Sequence, residues 1–491
     1  MNLTFRIFFS ALLAFALAFV FNDFLLNLSG RPLIDQVLLI VFSTSALAYL
    51  IFSIFGIIRE AGGLPPMKKF RVDRSALTAF FREHMPGLLL AFFFFIIYFC
   101  IGLRLNRADF DTTDNYLDAD NSTWMSRISA PGGSIIEMRG PHPFAYFVFR
   151  PLGWLLNLFT HTYSLSAILL NTFVGALCVF MAWMFIKRQF QDSIYALLIA
   201  SLLGLSTAHI FFGSIVESYI FSAASLIGFL LLLQAQKSTG VLVASSLLTF
   251  GITLTNFVQN FIAMLVLRPR LKEIFRFTAW TISLGIILSL VHAAWYPSSK
   301  LFFLISGVQA ENDFSFSIFS EPSWRAIGRI ILLVRTILLY AVIAPQPHVF
   351  GEEVGGTFPR FNFFKISPGT FAFSNYDGVG NLLVMIWALV MLTAGLIFLW
   401  NLFRTRKADL SLAFALSILF NFALHLNYGY EPFLYSADWA YALIFFVAFG
   451  LASFAKYRWF QYGMLIFLAL LAYNQYQFFV FIFQEISTFI S

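Results

Sequence analysis

Apolar runs of about 20 residues recur along almost the whole chain, each long enough to cross the roughly 30 Å hydrocarbon core of a bilayer as a helix. They lie near 5–28, 33–58, 86–104, 164–186, 193–212, 217–236, 276–295, 381–403, 409–426, 440–455 and 459–482. In lipid every backbone group must bond within its own helix or a closed barrel, and a barrel would show short alternating segments instead. Of the 491 residues, 60% are apolar and 11% charged, and the 65 Phe outnumber all 55 Asp, Glu, Lys and Arg. Soluble domains carry about 25% charge, so a soluble fold and a disordered chain are both excluded. The chain reads as an all-α, polytopic membrane protein with about 11–13 transmembrane helices and the lipid bilayer as its surroundings.

The run at 241–267 is interrupted by Thr253, Thr255, Asn256, Gln259 and Asn260. Irregular backbone at depth is tolerated only inside protein or beside a wet cavity, so this stretch reads as a broken pair of helices. Residues 1–22 read as a retained first helix, since no small-residue cleavage site follows the run, and no lipidation motif is evident. Cys100 and Cys178 lie in apolar runs and read as packing residues.

Basic loops set the orientation. Arg59 to Arg82, Lys187-Arg188, Arg268 to Arg276, Arg404 to Lys407 and Lys456 to Arg458, with Arg6 and Lys237, place 19 basic residues against six acids on the cytoplasmic side. The net charge of +7 is therefore topology, and no nucleic-acid partner is implied. Two further apolar stretches, Phe144 to Phe159 with Arg150 and Ile330 to Ala344 with Arg335, would reverse this order if both spanned. They are placed along the outer interface, where an arginine reaches headgroups or a polar cavity. Four regions follow: 1–85, two helices and a basic loop; 86–295, a core with an acidic outer loop at 105–143 and an interfacial helix at 144–159; 296–380, outer loops with an interfacial or re-entrant helix; and 381–491, the C-terminal helices.

Chemistry-bearing residues gather outside. Asp109, Asp111, Asp114, Asp118 and Asp120 fall within twelve residues just beyond a spanning helix, followed by Arg127, Arg139 and Arg150. Crowded carboxylates raise one another's proton affinity unless a cation sits among them. A carboxylate can serve as general base toward a hydroxyl and a guanidinium can hold a phosphate, although a solvated acidic loop is the plainer alternative. Asp118 and Asp120 also have the spacing to share a divalent cation. The prolines flanking His142 set a rigid turn before the interfacial helix. Glu217 and Tyr219 open a later helix, and a membrane-embedded Glu is a candidate functional group. Glu431 and Tyr435 stand in the aromatic loop 427–439, whose rings also fit simple interfacial anchoring.

In layout and short motifs these residues resemble the GT-C class of integral-membrane glycosyltransferases, especially bacterial relatives of protein O-mannosyltransferases. Asp118-Ala119-Asp120 is similar to that family's acidic pair in the first outer loop. His142-Pro143-Phe144 is similar to its His-Pro turn, with Phe144 in place of a second proline. Glu217-Ser218-Tyr219 is similar to its Glu-x-Tyr signal. The resemblance covers roughly residues 102 to 295, and two extra helices precede it. It implies transfer of a sugar from a polyprenyl-phosphate donor to a glycan, lipid or protein acceptor at the outer face of a bacterial inner membrane. The implied roles are Asp120 or Asp118 as base, with Asp114 beside them; Arg139 or Arg150 at the donor phosphate; and Glu217 as an orienting or acceptor-binding group. His142 and Tyr219 are implied substrate contacts, inversion is the implied stereochemistry, and no metal is implied; Glu431 and Tyr435, beyond the resembling stretch, are substrate-contact candidates from the loop residues alone. The alternatives are a transporter or flippase of lipid-linked saccharides, which would place acids near the midplane and show repeats, and a polymerase or ligase acting on lipid-linked sugars, usually built on a loop rich in Arg and His.

Overall fold

The computed structural model describes residues 3–61, 74–130, 138–315, 317–351, 358–405 and 409–490. The expected basic residues Lys68, Lys69, Arg71, Arg406 and Lys407, and positions 131–137 of the outer loop, lie outside the described residues. The helices are α1 (Leu3–Leu26), α2 (Leu33–Ala61), α3 (Arg74–Leu105), α4 (Asn121–Ser129), α5 (Ala145–Thr160), α6 (Tyr163–Phe190), α7 (Ser193–Leu205), α8 (Thr207–Phe212) and α9 (Tyr219–Gln234). After them come α10 (Thr239–Ile252), α11 (Phe257–Leu267), α12 (Leu271–Trp295), α13 (Ile305–Gln309), α14 (Ser323–Arg335), α15 (Val379–Thr405), α16 (Leu410–His425), α17 (Ala437–Leu451) and α18 (Arg458–Ile490).

Eight of these helices are long and apolar enough to cross a membrane, and five shorter apolar ones accompany them. The all-α membrane architecture thus holds at this level. Among the long helices α6 and α17 are the most buried, while α1, α2, α3 and α15 lie at the periphery, where Phe24, Phe92, Trp400 and Phe403 point outward. The α1–α2 hairpin packs on α12 and shares a separate apolar cluster with the segment around Leu301 and Leu304. Cys178 is buried, but Cys100 is exposed on α3, so only one of the two is a core packing residue.

Two pairs of basic segments are tied together at one end of the bundle. Lys187 pairs with Glu83 at 3.5 Å and Arg268 with Glu273 at 2.9 Å, and Arg268 also donates to the Lys237 carbonyl. Loops 138–144, 296–322 and 426–436 meet at the other end, joined by hydrogen bonds such as Lys300 N–H to Met138 O and Gly429 N–H to Phe314 O.

Several apolar runs are interrupted where the sequence reads as continuous. The run 193–212 divides at Ser206, whose side chain caps α8 by accepting from the His209 N–H. The orphan N–H groups of Thr207 and Ala208 donate to Val342 and Ala341 carbonyls, and Gln475 Nε2 donates to the carbonyls of Leu205 and Val342. The 217–236 run starts as a helix only at Tyr219, leaving Glu217 in irregular backbone. The expected break in 241–267 falls at Thr253, which is extended between α10 and α11.

The interfacial segments differ from each other. Helix α5 has an amphipathic layout, with Tyr146, Phe149 and Arg150 buried and Leu152, Leu155, Leu158 and Phe159 exposed. The second begins earlier than expected, as α14, continues through a π-helical turn at Thr336–Tyr340, and then buries Ala341 to Ala344 against α8. Residues 336–344 therefore plug the bundle and do not lie along its surface. The outer segment 346–373 adds strands to the all-α expectation: β1 (His348–Phe350) pairs antiparallel with β2 (Arg360–Asn362), and β3 (Phe364–Ser367) with β4 (Thr370–Phe373).

The irregular stretch Ser214–Ser218 is buried, and side-chain amides satisfy it. Asn171 Nδ2 donates to the carbonyls of Phe212 and Ile215, and its Oδ1 accepts from the Glu217 N–H. Asn106 does the same for Ser214 O and Val216 N–H. Gly102 allows this approach, since a Cβ there would lie 2.7 Å from Ser214 O. Replacing Asn171 with Leu is expected to cost about 1–3 kcal/mol for each buried backbone group left bare, read as a lowered thermal midpoint in detergent; an unchanged midpoint would show that these groups do not need the amide.

Candidate functional site

At the end opposite the basic loops lies a cavity of about 290 Å³ that gathers Asp114, Asp118, Asp120, Arg139, His142, Glu217, Tyr219 and Tyr435. These residues come from the acidic loop, the His-Pro turn, the start of α9 and the loop before α17. Of the residues singled out in the sequence, Asp109, Asp111, Arg127, Arg150 and Glu431 do not line it.

The acidic loop is wound tightly enough to crowd its carboxylates. Asp114, Leu117 and Asp118 all have positive φ (63°, 54° and 65°), a conformation that short polar side chains tolerate better than leucine does. The Leu117 N–H donates to Phe361 O and the Phe361 N–H to Asn115 O, so β2 holds the loop from outside. Arg360 of the same strand pairs with Asp118 at 2.8 Å. Burial raises the Asp118 carboxyl to about 6, with the Asp114 and Asp120 charges adding and Arg360 opposing. Asp114 is raised mainly by burial too.

Asp120 differs in its attachment. Its backbone N–H donates to Glu217 Oε2 at 3.1 Å, while its carboxylate makes no capping bond to α4. Burial, then the Asp114 charge, raises its proton affinity, and Arg127 and Arg139 pull the other way. The remaining Glu217 oxygen accepts from the Ser218 N–H and hydroxyl. Glu217 thus fixes the backbone from which Asp120 projects.

His142 is a turn residue whose ring is committed. Its Nδ1 lies 2.6 Å from Ile252 O, and since a carbonyl only accepts, Nδ1 carries the proton. Burial lowers the ring to about 3, so it is neutral. The turn is seated on the helix break: Leu254 N–H donates to Pro141 O, and a Cβ on Gly251 would strike the Phe144 ring at 2.1 Å. The aromatic residue standing where the resembled family has a second proline therefore packs against the broken helix.

Arg139 is engaged. Nε and Nη2 form a bidentate pair with Glu311 at 3.2 and 2.7 Å, Nη2 also donates to Tyr428 Oη, and the guanidinium lies 3.5 Å from the Phe314 ring centre. Arg150 is buried beside α4, where Nε donates to Arg127 O and the guanidinium stacks near Tyr146 and Tyr296; a phosphate role for it falls outside the cavity. No protein-family model matches this sequence, and no curated protein matches it.

Glu431 is buried just behind the cavity. Oε1 accepts from the Phe433 N–H, and Oε2 has no hydrogen-bond partner among the described residues. Burial, then the Asp118 charge, raises it to about 8. Tyr435 packs edge to face with Tyr219, lies against the His425 ring at 4.4 Å and is packed over Gly429, whose φ is +76°. Arg329, which the sequence does not single out, donates to the carbonyls of His425, Tyr428, Gly429 and Tyr430 and so gathers this loop.

A second cavity of about 630 Å³ adjoins the first, with Tyr430 lining both. Arg325, Arg360 and Lys365 bring positive charge to it, and Phe350, Phe364 and Phe371 give it apolar walls. Among the described residues no group of three or more His, Cys, Asp or Glu is placed to hold a metal ion, and Asp118 of the Asp118/Asp120 pair is bound to Arg360 instead.

Infrared difference titration is expected to show a carboxyl near pH 6 that vanishes in Asp118→Asn. In Arg360→Met it moves to higher pH, because the lost cation had favoured the ionised form. A band that does not move would remove Arg360 from the electrostatics of the site.

Proposed function

We propose that this chain is a membrane glycosyltransferase that moves a sugar from a polyprenyl-phosphate donor to an acceptor hydroxyl at the outer face of a bacterial inner membrane. The observation that carries the reading is the pairing of two adjoining cavities, one presenting Asp120, a carboxylate that makes no capping bond to its own helix, and the other cationic and apolar. A lipid phosphate needs cations beside apolar surface, and an acceptor hydroxyl needs a base close to the reacting carbon.

In this reading the donor phosphate sits against Lys365, Arg325 and Arg360, the last two sharing their charge with Glu321 and Asp118 as Arg139 does with Glu311. The prenyl chain leaves over the exposed apolar face of α14, where Ile327, Ile330, Ile331 and Val334 stand out. The sugar reaches into the first cavity. Asp120 accepts the proton of the acceptor hydroxyl as its oxygen bonds to the anomeric carbon, and the anomeric carbon–oxygen bond to the phosphate breaks, releasing polyprenyl phosphate. Glu217 is a positioning residue, since it holds the Asp120 N–H. Tyr219 and Tyr435 give the ring an aromatic wall.

In proteoliposomes supplied with polyprenyl-phosphate sugars, Asp120→Asn is expected to lower transfer by about 10²- to 10⁴-fold with insertion unchanged. Transfer within a few fold of the native rate would remove the base. The sidedness has its own check: a cysteine at the exposed position Asp109 should react with an impermeant maleimide added from outside, and labelling only from the cytoplasm would overturn the orientation.

A further inference from the structure

The inner wall of the first cavity holds polar groups that the transfer step does not use. Asp438, on the first turn of α17, is 3% exposed and lines the cavity, and its Oδ1 has no hydrogen-bond partner among the described residues. Asn256 and Ser222 lie against its carboxylate. Thr253, extended at the break between α10 and α11, also lines the cavity, is 7% exposed, and its Oγ1 has no partner among the described residues. Asn421 of α16 joins them, with its amide nitrogen already given to Ser417 O.

Buried polar atoms without partners are costly, and two different segments, through Asp438 and Thr253, present theirs to one space. The chemistry is specific. Asp438 when ionised offers only acceptor oxygens, Asn421 keeps its carbonyl oxygen while one of its two amide N–H groups goes to Ser417 O, and Thr253 can accept or donate. A wall rich in acceptors is complementary to a ligand that brings several O–H donors. The rings of Tyr219 and Tyr435, set edge to face at 5.2 Å, line the same cavity and give the flat C–H face of a saturated ring an aromatic surface. The cavity is of the size expected for a small ligand, near the lower end of about 300–1,000 Å³.

We propose that Asp438, Thr253 and Asn421 form a hydroxyl-reading subsite that binds the sugar ring of the lipid-linked donor and sets which sugar is accepted; this rests on the glycosyl-transfer reading above. The break at Thr253 exists to line this wall: an unbroken helix would turn its hydroxyl back onto its own backbone, as Thr281 and Thr172 do elsewhere in the bundle.

The test uses the full chain in lipid nanodiscs and measures dissociation constants by quenching of tryptophan fluorescence. The probes are bare undecaprenyl phosphate and the same lipid carrying glucose, mannose, galactose or arabinose. The native protein is expected to bind at least one glycosylated lipid more tightly than the bare one. Asp438→Asn should erase about tenfold of that preference, and Thr253→Val a few fold, with affinity for bare undecaprenyl phosphate unchanged in both. Both substitutions preserve size, and thermal midpoints equal to the native value identify folded variants. A native preference that survives both substitutions overturns the subsite and leaves the transfer reading standing. Absence of preference for any glycosylated lipid in the native protein overturns the transfer reading, and the subsite with it. Sodium-dependent stabilisation that is lost in Asp438→Asn would place a cation there and overturn the sugar assignment.

Discussion

A backbone amide inside a bilayer has no water to bond, and the structure is organised around places where this constraint meets a broken helix. Each break needs an outside partner. The Ser214–Ser218 stretch uses Asn106 and Asn171, the α7–α8 junction uses Gln475 and the carbonyls of 341–342, and the end of α10 uses the His-Pro turn. All three supports join segments distant in sequence. They bring to the cavity the very residues a continuous helix would have kept apart: Glu217 before α9, Thr253 between α10 and α11, and His142 bonded to Ile252.

The electrostatics follow from the same packing. Five carboxylates placed near one mouth would repel one another in the open, and the loop solves this unequally. Asp118 is given a cation at 2.8 Å, Asp109 pairs with Arg107 at the surface, and Asp120 is left without a bond from its helix while its backbone is fixed by a second carboxylate. Three neighbouring acids of one chemical type thus stand in three different environments, which is the condition for giving them different tasks.

Much of this was legible in the sequence because two of its signals are strong. Apolar run length locates the helices, and charge sorting separates the two ends; the structure ties two pairs of basic loops together at one end and has the acidic loop at the other. The acidic cluster, Glu217, Tyr219 and Tyr435 were readable as exceptions, since polar residues are scarce in such a chain. What was not readable depended on partners. Arg139 looks available until Glu311, 172 positions away, is seen to hold it, and Arg150 gives no sign that it faces α4. Asn106, Asn171 and Gln475 are single amides in apolar runs, and their role exists only where another segment leaves its backbone bare. The two small β ladders escaped because the helical bulk of the chain sets the expectation, and because strands of three or four residues leave too short a pattern to register.

The pairing of the acidic loop with β2 has a consequence for how the molecule is made. Asp118 leaves the ribosome 242 residues before Arg360, its partner, and the Leu117–Phe361 bonds close a loop of similar length. Contacts of such separation form late and slowly. The acidic loop must therefore wait, uncompensated, through the synthesis of helices α4 to α14, and the mouth of the cavity takes its final shape only once most of the bundle already stands.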